Sequence, residues 1–356
     1  MPPRHFFCIV MKLSVCALLL CIASTVSAAL FTSCAQRFPG DDAARLKCYD
    51  QAPPDTTLLN ADIRDEAAQF EIIKTELARR SYLTRVWNLD DLNNTDDSKL
   101  GRLEPYRQNY IMLRETNSLN NQPTTPAPLH TTLVGNDNQS LESKYLISVK
   151  ADIGTQRDIN MLGFKTLRLW GAYTQQSNWQ MFNTKNSSPF RETNYEPELI
   201  ATLGTNHDSG LKLLNLGMEH QSNGRPLPES RSWNRIYALG GWEWNNVTSL
   251  MGRVWWRVPE NIAKDDNPDI TSYIGRADMV LRWEPADKSQ AISLLLRNNL
   301  ALRNNRGFAQ LDWATPINAG DSSRVHIQLS SGFGETLIDY NHYQTTLGFG
   351  FSFREW

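Results

Sequence analysis

Arg324-Val-His-Ile-Gln-Leu-Ser330, and again Leu347-Gly-Phe-Gly-Phe-Ser-Phe353, place an apolar residue at every second position. A strand turns successive side chains to opposite faces, so Val325, Ile327 and Leu329 share one face while Arg324, His326, Gln328 and Ser330 share the other. In the second stretch Leu347, Phe349, Phe351 and Phe353 form the apolar stripe, opposite Gly348, Gly350 and Ser352. The same period of two begins near residue 105 and recurs in twelve segments: near 105–116, 143–153, 164–177, 197–207, 211–222, 231–245, 248–258, 271–284, 289–299, 306–315, 323–333 and 342–353. Segments of about ten residues, apolar on one face and carrying Arg or Lys on the other, are the pattern of a membrane-spanning β-barrel. A soluble β-sandwich alternates too, but would accept Arg168 and Arg324 on an inner face only as paired charges. The final residue, Trp356, is aromatic as in many such barrels, although it falls out of phase with the phenylalanine stripe. The expected fold is all-β: a twelve-stranded antiparallel transmembrane β-barrel with a short N-terminal periplasmic extension.

Bulk properties agree. The 356 residues include eleven Trp and 10% aromatics, yet mean hydropathy is -0.46. No apolar run after residue 30 is long enough for a membrane helix, which excludes a helical bundle and leaves a barrel open. A net charge of -2 gives no reason to expect nucleic acid as a partner.

The N-terminus reads as a signal for export. Lys12 precedes an apolar run over residues 13–23, and Val26-Ser-Ala28 has the small residues that signal peptidase needs, so residues 1–28 are expected to be removed. Lipidation at Cys21 is disfavoured by the bulky Leu20. Cys8, Cys16 and Cys21 would leave with the signal. Cys34 and Cys48 remain, and an even remainder in an oxidising compartment suggests one disulfide, the alternative being two free thiols. Residues 29–100 form a separate extension, rich in Ala, Glu, Arg and Leu at roughly helical spacing over 61–80 and acidic after residue 88; the barrel occupies 101–356.

The chemistry concentrates in His220-Gln-Ser-Asn-Gly-Arg225 and Ser230-Arg-Ser-Trp-Asn234. His220 and Ser222 leave the same side of a strand, and Leu214, Leu216 and Met218 share that side, so a possible nucleophile and base lie on the apolar face. A hairpin centred at Leu227 pairs Asn234 with His220 on the same face. An imidazole can accept the serine proton near neutral pH, and an amide oxygen can fix its tautomer without burying a carboxylate in lipid. The competing reading is a polar hairpin tip at the headgroup level of a non-enzymatic pore or structural barrel. Gln175 also shares parity with apolar Leu167, Leu169 and Tyr173, as a membrane-rim residue or one satisfied by a symmetric partner. His326 and Arg324 read as lumen residues.

These motifs, with Ser187-Ser-Pro-Phe-Arg-Glu-Thr-Asn-Tyr-Glu-Pro197, Asp265-Asp-Asn-Pro-Asp-Ile270 and Gly332-Phe-Gly-Glu-Thr-Leu-Ile-Asp-Tyr-Asn341, resemble in order the outer membrane phospholipase A family of Gram-negative bacteria. The resemblance spans roughly residues 105–356. It implies an outer-membrane, calcium-dependent hydrolase of phospholipid and lysophospholipid acyl esters (A1 and A2 type) that is active as a homodimer. On this chain it makes Ser222 the nucleophile, His220 the base, Asn234 its orienting partner and the Gly224 amide an oxyanion donor. Ca2+ would be held by the Arg225 carbonyl, the Ser230 hydroxyl and a serine of the Ser187–Ser188 pair from the second subunit, Ser187 being preferred. Gln175 would lie at the dimer interface. Leu227 stands where the family can carry an acid, which puts a second calcium site with Asp266 in doubt; the 265–269 run is equally readable as a solvated loop, since it lacks the glycine and glutamate of an EF-hand.

Overall fold

A computed structural model describes residues 38–51, 80–89, 101–205, 207–318 and 322–353. The chain divides into two units, residues 1–76 and 77–356. In the first, helix α1 (Asp42–Gln51) starts at Asp41, whose carboxylate accepts the Ala44 amide at 3.0 Å. Cys48, in this helix, is disulfide-bonded. Cys34, the signal segment, residues 61–79 and Trp356 lie outside the described residues.

The second unit contains β1 (Leu103–Pro105), β2 (Tyr110–Thr116), β3 (Leu141–Met161), β4 (Phe164–Trp179), β5 (Phe190–Gly204), β6 (Gly210–Ser222) and β7 (Ser232–Trp244). Then come β8 (Thr248–Arg257), β9 (Ala277–Trp283), β10 (Ala291–Asn298), β11 (Gly307–Pro316), β12 (Ser323–Phe333) and β13 (Tyr343–Phe353). Strands β2 to β13 each pair antiparallel with the next, and β13 pairs back onto β2, closing a twelve-stranded barrel. Closure leaves no strand edge to hydrocarbon, where an unpaired amide or carbonyl would find no partner. Connections at one end are long, as in residues 117–140, 258–276 and 334–342. Those at the other, such as 162–163 and 245–247, are tight turns. This asymmetry is that of outer-membrane barrels.

Four boundaries differ clearly from the sequence reading, one being the end of β3, which runs to Met161 rather than to about 153. The first segment is broken at 106–109, where four residues stand between the pairs Pro105–Val149 and Tyr110–Leu146 against only two on β3. There the Asn109 side chain substitutes, accepting the Ser148 amide at 2.5 Å and donating to the Ser148 carbonyl at 3.2 Å. Strand β5 begins at Phe190 rather than near 197, extending the wall beside the 180–189 turn. Strand β9 begins only at Ala277: the single 3-10 turn Ile270–Ser272 and Gly275, at φ +89°, occupy the start of that segment.

Alternation sets the two faces as the sequence suggests. Leu347, Phe349, Phe351 and Phe353 are exposed on the outer wall, whereas Gln344, Thr346 and Ser352 are buried inside. The inner wall carries charges, and these are paired, as burial demands. Glu335 accepts from Arg114 at 2.7 Å and Lys144 at 3.0 Å, while Arg191 bridges Glu142 at 2.9 Å and Asp339 at 2.7 Å. His326 bonds Asp312 at 2.9 Å, within the lumen where its parity put it.

Both ends of the lumen are filled. Helix α2 (Tyr82–Trp87), read from sequence as part of the extension, packs inside the barrel: Leu83, Val86 and Trp87 meet Trp170, Ile200 and Leu213. Its first turn has no cap of its own, and buried Glu243 serves instead, accepting from Ser81 Oγ at 2.5 Å and the Leu83 amide at 2.7 Å. At the long-loop end, Leu337 and Tyr340 of the 334–342 loop fold inward against Trp233, Tyr237, Trp255 and Ile270. A cavity of about 320 Å³ remains, lined by Trp87 from one plug and Leu337 from the other. Glu243→Ala is expected to orphan the buried Leu83 amide and leave Ser81 Oγ with Thr84 alone, lowering stability by roughly 1–3 kcal/mol and opening residues 80–89 to protease. An unchanged melting temperature and cleavage pattern would contradict the capping role.

Candidate active site on the outer wall

Strands β6 and β7 pair in the register that puts His220 opposite Asn234 and Ser222 opposite Ser232. Imidazole and amide meet directly, His220 Nδ1 to Asn234 Oδ1 at 2.9 Å. Asn234 Nδ2 in turn donates to Glu260 Oε1 at 3.3 Å, which fixes the amide oxygen toward the ring. A proton on Nδ1 then serves this bond and leaves Nε2 as the free base. Ser222 shares the outward face with His220. Among the described residues its Oγ accepts and donates no hydrogen bond; contacts of this kind commonly close only around substrate.

The surroundings are lipid-facing. Leu216, Met218, Ile236 and Trp256 expose 45–58% of their surface on the same wall. The inward neighbours lock the strand instead: Gln221 donates to Glu196 at 2.9 Å and accepts from Trp233 Nε1 at 2.7 Å. A row of cross-strand partners runs Gln175, Tyr195, Ser222, Ser232 across β4 to β7. Gln175 therefore sits two strands from Ser222, roughly 10 Å along the wall, and its amide is held between Tyr173 at 3.1 Å and Ser177 at 3.3 Å.

The connecting loop, residues 223–231, is organised from beneath by Asn223. Its Oδ1 accepts the Arg231 and Arg225 amides at 2.9 and 3.3 Å, and its Nδ2 donates to the Glu229 carbonyl at 2.8 Å. The fold of that loop leaves Gly224 at φ +62°, in the left-handed region that favours glycine. Among the described residues none accepts from the Gly224 amide. The Arg225 guanidinium is tied to Glu229 at 2.5 Å and to the Phe190 carbonyl at 2.8 Å.

Ser230 and Asp266 are brought together: Ser230 Oγ donates to Asp266 Oδ2 at 2.7 Å, and Ser232 Oγ reaches the same oxygen at 3.3 Å. The other carboxylate oxygen takes His130 Nε2 at 3.1 Å. Leu227 is half exposed, and its side chain offers no ligand atom. Ser187 lies apart, at the left-handed end of the 3-10 turn Thr184–Asn186, and is exposed, whereas the Ser188 hydroxyl is spent on the Met181 carbonyl at 3.2 Å. Sequence reading missed three contributors. Asn223 was visible inside the motif as the inward neighbour of Ser222. Glu260 follows from the β7–β8 register, Arg235 opposite Arg257, carried three residues on. His130, in the 117–140 loop, has no local signal.

The Phospholipase A1 family model matches residues 83–353. The chain belongs to that family. Phospholipase A1 of Escherichia coli strain K12 is 34% identical over 256 residues, covering 70% of this chain and 80% of that one. The solved outer membrane phospholipase A from Escherichia coli covers 71% of this chain and 99% of its own, with 34% identity and a TM-score of 0.60. A Salmonella typhi outer membrane phospholipase, solved as a dimer with bound calcium, is 31% identical, covers 76% of this chain and 98% of its own, and has a TM-score of 0.62. This phospholipase-family barrel is accordingly an outer-membrane protein. The match begins inside α2, which agrees with that helix packing as part of the barrel.

A methyl at Gly224 would be strained at this φ and would press on the Tyr195 ring at 3.2 Å. Gly224→Ala is expected to lower kcat on phospholipid by at least about tenfold while the barrel still folds. Full activity in that variant would remove the Gly224 amide from the site.

Proposed function

We propose that this barrel is a calcium-dependent serine hydrolase cleaving acyl esters of phospholipids and lysophospholipids, at either acyl position, as a homodimer. The observation that carries it is the 2.9 Å His220–Asn234 bond on the lipid-facing wall, one pleat from Ser222. Ser222 Oγ attacks the ester carbonyl while His220 Nε2 takes its proton. The oxyanion so formed lies toward the Gly224 amide. Collapse expels the glycerol oxygen, which takes the proton from His220, and leaves an acyl-serine. Water, deprotonated by the same imidazole, then releases the fatty acid and restores Ser222.

Asparagine in place of aspartate orients the ring without placing a carboxylate directly against it in an apolar wall. Substrate needs no tunnel, because it arrives in the surrounding leaflet. The plugged lumen supports this reading over that of a pore.

The candidate metal ligands are all oxygens, a donor set that suits calcium. The Arg225 carbonyl and Ser230 hydroxyl would hold it on one subunit, and the partner subunit's Ser187 would complete the site with water. When bound, the ion would offset negative charge developing on the oxyanion. Asp266, engaged with Ser230 and His130, supports a role in placing the Ser230 hydroxyl, and the Leu227 side chain adds no acid for a second ion there. Gln175, on the same row as Ser222, fits a contact between subunits.

Ser222→Ala is expected to lose at least about a thousandfold in phospholipid hydrolysis in detergent with calcium, and EDTA to abolish wild-type activity. Hydrolysis surviving the substitution would overturn the serine assignment, and hydrolysis unchanged in EDTA would remove the metal.

A further inference from the structure

Glu260 stands at the start of the 258–276 loop and contributes to no motif that the sequence brought forward. The loop is held against the hairpin by a backbone bond from Val258 N to the Asn234 carbonyl at 2.9 Å. Two residues on, Glu260 Oε1 accepts from Asn234 Nδ2 at 3.3 Å. No cation neutralises it by direct contact among the described residues: Arg257, the nearest by sequence, is committed to Asp265 at 2.6 Å. The groups around the carboxylate are Asn234 from β7, Arg257 from β8, and Asp265 and Asp266 of its own loop.

We propose that Glu260 is a positioning residue for the catalytic imidazole, acting through Asn234; this rests on the serine-hydrolase reading above. Two physical effects follow from the chain Glu260, Asn234, His220. The carboxylate accepts from the amide nitrogen only, so the amide cannot rotate its nitrogen toward the imidazole. It also polarises the amide, making Oδ1 a stronger acceptor for Nδ1–H as the ring becomes cationic. A neutral asparagine thereby gains part of the charge an aspartate would supply, from a carboxylate kept outside the membrane-facing strand. Burial and the neighbouring Asp265 carboxylate hold the Glu260 carboxyl above its ordinary range, so this assistance weakens as pH falls toward that range.

The test uses the full-length protein in detergent with calcium, a short-chain phosphatidylcholine as substrate, and the variants Glu260→Ala, Glu260→Gln, Asn234→Ala and Ser222→Ala, with heat-modifiable mobility reporting the folded barrel. Glu260→Ala is expected to lower kcat about tenfold with KM little changed, and to move the acid limb of the pH–kcat profile to lower pH. Glu260→Gln keeps an acceptor but no charge, and is expected to recover part of kcat without returning the acid limb. In the Asn234→Ala background, adding Glu260→Ala is expected to cost nothing further. An unchanged rate and acid limb in folded Glu260→Ala overturns the proposal while an inactive Ser222→Ala leaves the hydrolase reading standing. A fully active Ser222→Ala would instead remove the reading on which it rests. A fall in rate with the acid limb unmoved in both Glu260 variants, or a further loss on top of Asn234→Ala, assigns Glu260 a purely structural part and likewise overturns it.

Discussion

Hydrocarbon offers a backbone neither donor nor acceptor, so every strand of this wall must satisfy its amides and carbonyls within the protein. Closing β13 onto β2 meets that demand. Once the circuit is closed, strand parity assigns each side chain either to lipid or to the lumen, and a one-residue slip would exchange the two. The location of His220 and Ser222 is a consequence of that parity. They face lipid because Leu216 and Met218 do.

The same constraint explains why the inside is costly and well ordered. Charges such as Arg114, Lys144, Glu335 and Arg191 are buried at full desolvation, and only their mutual contacts make that tolerable. They also fasten the 334–342 loop into the lumen. From that loop the network reaches the hairpin: Glu192 accepts the Ile338 amide at 3.0 Å and the Asn223 side chain at 3.3 Å. Asn223 then shapes the 223–231 loop that carries Gly224 and Arg225. On the proposed reading the lumen is less a conduit than a rigid support for chemistry on the outside.

Much of this was legible in the sequence, for reasons particular to each part. Period two is a direct image of the pleat, so eight of the twelve strands to within two residues, and the inward placement of Arg168, Arg324 and His326, could be read locally. The His220–Asn234 pairing was legible because a hairpin fixes its own register. What failed to show was non-local or idiosyncratic. The break at 106–109 depends on Asn109 imitating a ladder residue, and α2 carries too little helical pattern to announce that it fills a barrel. Asp266 finding His130 across 136 positions of sequence leaves no trace in either segment.

A phospholipase of the outer membrane has its substrate on every side, and the proposed outward nucleophile would turn the wall itself into a binding surface. The most direct measurement is covalent: a long-chain alkyl fluorophosphonate, which reacts with activated serines, applied to the folded protein in detergent with calcium and mapped by mass spectrometry. The expected result is one stoichiometric adduct on Ser222, lost when calcium is chelated. An adduct on another serine, or none while phospholipid is still hydrolysed, would contradict an active site on the lipid-facing wall.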